Sequence, residues 1–125
     1  MKVTATSRVS WAVCLCAAAW STAAPGCDGA GPRSVIRGLQ SSNPSVRIAS
    51  AVRAGKAGNR RALPLLVDRL EDESADVRLF SIRALEKITG QTLGYRHYAD
   101  EAERAEAVRR WREWLKARRP PGPGE

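Results

Sequence analysis

Apolar and polar positions divide this chain into three stretches. Residues 9–20 form an uncharged, mostly apolar run behind Lys2 and Arg8, ending in small residues. From 34 to 90, apolar side chains recur every three or four positions in short blocks separated by polar turn residues, which is the period of amphipathic helices. From 100 onward, Ala107, Val108, Trp111, Trp114 and Leu115 again fall on one side of a helix.

The middle stretch superimposes on itself when shifted by 31 positions, without a gap. Leu39 falls on Leu70, Val46 on Val77, Arg47 on Arg78, Ser50 on Ser81 and Lys56 on Lys87, while Val35 meets Leu66 and Ile36 meets Val67. Each unit therefore reads as a helical hairpin, with helices at 34–41 and 44–57 in the first and at 60–70 and 75–89 in the second. Turn chemistry marks the joints. Asn43 is a capping side chain ahead of Pro44, whose missing N–H costs nothing at the first helical position. Gly58 and Gly90 stand where a helix C-terminus favours the left-handed conformation. Pro64 lies one turn inside the third segment and predicts either a later start or a kink there.

In the second unit, Ala62-Leu63-Pro64-Leu65-Leu66 with Leu70, Asp72, Val77-Arg78, Ala84-Leu85 and Ile88 resembles a full HEAT repeat, in particular the PBS-lyase HEAT-like repeats of bacteria. The first unit follows the pattern more loosely through Val46-Arg47 and Ala54. The resemblance implies an all-α fold: a short solenoid of two helical hairpins. It also implies that an acidic turn residue and the arginine after the valine bond across neighbouring units, which maps to Asp72, Arg47 and Arg78. Ser41 replaces the acidic residue in the first unit, so the expected ladder is incomplete.

Beyond residue 90 the repeat fails, since the shift places Leu66 on His97 and Leu70 on Glu101. Asp100 can instead cap a helix over 100–117 that has Glu101 and Glu103 in its first turns and basic residues at its end, each sign matching the helix dipole. Two stacked units leave an apolar end open, and this helix, through Trp111 and Trp114, is placed to close it. The expected layout is a signal peptide over 1–26, a tether over 27–33, a helical repeat domain over 34–117 (repeats 34–58 and 60–90, capping helix 100–117) and a disordered tail over 118–125.

The N-terminal run is too short to span a bilayer, which takes about 20 apolar residues, and with its basic start reads as a cleaved export signal. Ala24-Pro25-Gly26-Cys27 resembles the lipobox of bacterial lipoproteins, with Ala24 where that family usually has Leu. The resemblance implies lipidation of Cys27 and a membrane-anchored product, and Asp28 resembles an inner-membrane retention signal. Ordinary secretion after Ser21-Thr22-Ala23, giving a soluble secreted or periplasmic protein, is the alternative. Cys14 and Cys16 leave with the signal, so no internal disulfide can form in the mature chain.

Charge and chemistry narrow the function further. The net charge is +8, unevenly spread: residues 33–61 hold seven basic and no acidic side chains. No catalytic constellation stands out, because the mature chain has one histidine, His97, and no Gly-rich phosphate loop after a strand. Neither a metal nor a cofactor is expected. Asp72, Glu73 and Asp76 lack the spacing of a calcium loop and read as a solvated turn.

In a stacked repeat the second helices share a face, where the shift pairs Ile48 with Leu79, Val52 with Arg83 and Lys56 with Lys87. This mixed apolar and basic stripe is the candidate partner-binding surface. The expectation is a noncatalytic protein-binding scaffold of the bacterial cell envelope, with an envelope protein as partner and the membrane reached through the lipid. Two alternatives are an accessory subunit of an enzyme related to the bilin-lyase HEAT-like proteins and a binder of anionic surfaces through the basic first repeat. Export argues against nucleic acid as the partner.

Overall fold

The computed structural model describes residues 31–118. Five helices follow in order: α1 (Pro32–Leu39), α2 (Pro44–Ala57), α3 (Leu63–Asp68), α4 (Ala75–Thr89) and α5 (Glu101–Arg118). There is no strand among the described residues. α1 and α2 form one antiparallel hairpin and α3 and α4 a second; α2 lies along α4 in the most extensive contact between elements.

Local chemistry sets the boundaries. Asn43 Oδ1 accepts from Ser45 N–H at 2.9 Å to cap α2, which ends at Gly58 in the left-handed region at φ 60°. Ser74 caps α4, and Gly90 at φ 74° ends it. Asp100 Oδ1 accepts from Glu103 N–H at 2.8 Å and opens α5. α1 begins at Pro32, two residues before the expected start, because Gly31 is extended and Pro32 supplies a helical φ at the first position. Pro32 and Arg33 are thus helical rather than part of a tether. The segment 60–70 is not one helix: single 3-10 turns at Arg60–Ala62 and Arg69–Glu71 flank α3. Pro64 explains the late start, since it occupies the opening turn of α3, where it interrupts no hydrogen bond.

One apolar core runs through both hairpins and into α5. Leu39, Leu66, Leu70, Leu85, Val108 and Trp111 are fully buried, and Val35 and Val67 nearly so. Ala51 and Ala54 on α2 and Ala84 on α4 are small enough to let these two helices lie close: a Cβ on Gly55 would stand 3.0 Å from Ala84 Cα. α1 and α2 are as tight at Gly38, where a Cβ would overlap Ser50 Oγ. α5 closes the downstream end. Ala107, Val108 and Trp111 are buried there, whereas Trp114 and Leu115, expected to be equally buried, are half-exposed near its last turn. Trp111 Nε1 donates to Thr92 O at 3.2 Å, and the rings of Trp111 and Trp114 meet edge to face at 5.5 Å.

Candidate functional site

Two features of the hairpins could carry function: the seam where the units join and the face that α2 and α4 share. At the seam, Arg47 on α2 points back into the turn between α1 and α2, where its Nη1 donates to Ser41 O and Ser42 O, both at 2.9 Å. Its Nη2 donates to Asp72 Oδ1 at 2.9 Å, and its Nε lies 2.9 Å from Asp72 Oδ2. Asp72 also receives Arg69 Nη1 at 3.2 Å and Ser74 N–H at 3.1 Å. Asp72 is therefore buried and fully engaged, not part of a solvated turn.

Arg78 corrects the other half of the expected ladder. It does not cross to another unit: its Nη1 donates to Asp72 O at 2.7 Å and Glu73 O at 3.0 Å, carbonyls of its own turn that match those of Ser41 and Ser42 after the 31-residue shift. The shared role of the two arginines is to satisfy turn carbonyls, and the crossing bond is an addition made by Arg47 alone. Arg78 Nε is buried without a hydrogen-bond partner among the described residues.

Tyr95 occupies the ground beside it. Its hydroxyl donates to Leu70 O at 2.5 Å, tying the loop after α4 to the end of the Arg69–Glu71 turn. Burial pushes the Tyr95 phenol above its usual range, with Arg78 and Arg104 acting in the opposite direction. Tyr95 has no counterpart in the repeat, and nothing in the periodicity marks it.

On the shared face, Ile48, Val52 and Leu79 are half-exposed, and Lys56, Arg83 and Lys87 exposed. The six predicted residues thus lie on two helices that pack side by side. Phe80, the α4 neighbour of Leu79, is 37% exposed, a large apolar side chain that the shift pairs with Ala49 and so leaves out. Arg83 is tethered to Glu86 at 3.6 Å; Lys56 and Lys87 form no ion pair among the described residues.

Among the described residues, no group of three or more His, Cys, Asp or Glu could hold a metal ion, and no helix is long and apolar enough to cross a membrane. His97 is half-buried, with its ring edge to face on Tyr98 at 5.1 Å. Cys27 lies outside the described residues.

Stacked helical hairpins with buried joints, closed by an extra helix, define a short α-solenoid. The model of the family described as HEAT repeats matches residues 33–109, and the chain belongs to that family. No curated protein and no solved structure gives a significant match. HEAT repeats generally mediate contacts between proteins.

Proposed function

We propose that this chain is a noncatalytic protein-binding scaffold of the bacterial cell envelope, exported by its N-terminal segment and held at a membrane through Cys27. The observation that supports binding is that α2 and α4 pack side by side and leave Ile48, Val52, Leu79 and Phe80 partly exposed on them, together with the exposed Lys56, Arg83 and Lys87. A partner gains apolar contact there and finds cations at the edge, so an acidic rim on the partner fits best. The likeness of the second unit to the PBS-lyase HEAT-like repeats supports the bacterial part of this reading.

A photo-crosslinking residue at position 52 or 83, compared in living cells with one at position 109 on the outer side of α5, tests the face. The expected result is one discrete adduct from positions 52 and 83 and none from 109. Equal, diffuse labelling from all three would remove the basis for a scaffold. The anchor is tested by the intact mass of the mature product against that of Cys27→Ser: a diacylglyceryl-sized increment lost in the variant supports it, and an unmodified chain starting upstream of Cys27 rejects it.

A further inference from the structure

The turn within the second unit carries Glu71, Asp72, Glu73 and Asp76, with Arg47, Arg69 and Arg112 paired to Asp72 and Glu71. At the opposite end, where α2, α4 and α5 finish, two grooves open. One, of about 750 Å³, is lined by Pro32, Val35, Arg53, Lys56, Arg60 and Arg61 among others. The second, of about 690 Å³, has an apolar floor of Leu63, Pro64, Ile88 and Trp114, bordered by Lys116 and Arg118. Arg60 lines both, so they form one continuous surface, and neither has an Asp or Glu in its lining.

Helix electrostatics account for only part of this. Lys56, Lys116 and Arg118 sit in last turns, where cations are favoured. Arg33 does the reverse, standing in the first turn of α1 where the positive end of the dipole disfavours it and no acidic residue offsets it, while Arg60 and Arg61 belong to the 3-10 turn ahead of α3. α4 and α5 keep the ordinary rule with Asp76, Glu101 and Glu103. Among the described residues, Lys56, Arg60, Arg61 and Lys116 form no ion pair; Arg37 and Lys87 elsewhere on the surface are also without one, while Arg96, Arg109 and Arg112 are paired. Lys56, Arg60, Arg61 and Lys116 are all exposed and so are available to a bound anion.

We propose that this end of the domain docks on the anionic surface of a lipid bilayer. The apolar floor and the half-exposed Trp114, with Arg118 stacked 4.1 Å over its ring, suit the headgroup boundary, where amphipathic aromatic side chains settle beside cations. Both described ends of the chain lie here, Pro32 in the first groove and Arg118 in the second. Cys27 precedes Pro32 by five residues, a reach of at most roughly 18 Å, so a lipid on Cys27 would hold this same end against the membrane. The docking does not require that lipid, and it is independent of partner binding on the α2–α4 face.

The test uses the full chain with Cys27→Ser, and reads the ratio of partitioning into vesicles containing phosphatidylglycerol to partitioning into phosphatidylcholine alone; the N-terminal run with Lys2 and Arg8 is common to every variant, so its contribution cancels when their ratios are compared. Lys56→Gln, Arg60→Gln, Arg61→Gln and Lys116→Gln together should lower that ratio about a hundredfold or more at low salt. Arg37→Gln, Arg83→Gln, Arg96→Gln and Arg112→Gln remove the same charge from exposed sites elsewhere and should change it far less. An equal fall in both variants, or no preference for phosphatidylglycerol, overturns the proposal. So does tight binding of a soluble glutamate-rich peptide that the first variant loses while vesicles fail to distinguish the two, which would assign the face to an acidic protein segment.

Discussion

Arg47 and Asp72, 25 residues apart, meet two atoms on two with their side chains 5% and 2% exposed, and their contact joins the first hairpin to the second. A buried pair of this kind is costly to break, because the survivor keeps a desolvated charge. Arg47→Met and Asp72→Leu should each cost about 3–5 kcal/mol in urea denaturation. The double variant should remain well below the wild type, since the Ser41 and Ser42 carbonyls and the Ser74 N–H also lose their partners. A double variant as stable as the wild type would show that those backbone bonds contribute nothing.

Gly38 and Ser50 make a second, steric pair. Gly38→Ala brings a Cβ onto Ser50 Oγ and within 3.0 Å of Ser50 Cβ at the closest approach of α1 and α2. Overpacking of about 1–3 kcal/mol should outweigh the helix-propensity gain of about 1 kcal/mol, so the variant unfolds at lower denaturant. In a Ser50→Ala background the hydroxyl is gone while the Cβ at 3.0 Å remains, so the same substitution should cost clearly less without becoming neutral. An identical cost in both backgrounds would place the strain elsewhere.

Tyr95 predicts an alkaline weakness. Its phenol is held neutral by burial and donates to Leu70 O, so its folded pKa exceeds the unfolded value of about 10. A raised pKa means the folded state binds the proton more tightly. The resulting stability is fully present below about pH 10 and disappears as pH climbs through the folded value. Tyr95→Phe should cost about 1–2 kcal/mol at pH 7, by leaving the Leu70 carbonyl without this donor, and should narrow its deficit against the wild type as the pH rises above about 10. A deficit independent of pH would mean that Tyr95 ionises as readily folded as unfolded.

The two tryptophans of α5 should separate by burial. Trp111 is fully buried and bonded to Thr92 O, and Trp111→Ala should cost about 3–5 kcal/mol, enough to unfold much of a domain this small. Trp114 is half-exposed at the groove, and Trp114→Ala should cost about 1–2 kcal/mol while leaving a cooperative transition. Thermal unfolding followed by circular dichroism distinguishes the two cases.

Most of the architecture is legible in the residues because it rests on local signals. The bounds of α2 and α4 follow from Asn43, Pro44, Gly58 and Gly90, each of which acts on its own backbone. The early start of α1 and the 3-10 turns around α3 are not legible, since Pro32 and Pro64 permit several starts and only packing selects one. The crossing bond of Arg47 follows from the family pattern; the service both arginines give to turn carbonyls does not, because backbone acceptors carry no signature in a sequence. Tyr95 and Gly38 are invisible for a related reason: each matters through an atom brought near from another element. The stripe on α2 and α4 is readable from the 31-residue shift, apart from Phe80. The basic grooves are not, as they draw on α1, α2, α3, α4 and α5 at once and exist only when those ends converge.

The seam has a consequence for how long such a protein can be. The second unit alone owns both halves of the seam, an Asp72 that faces upstream and an Arg78 that bonds carbonyls of its own turn. A tandem copy of residues 60–90 inserted after Gly90 would present its own aspartate to that arginine in the same register. The loop bearing Tyr95 and the helix bearing Trp111 close the array after the second hairpin, and moving them downstream of an added copy should lengthen it by one hairpin.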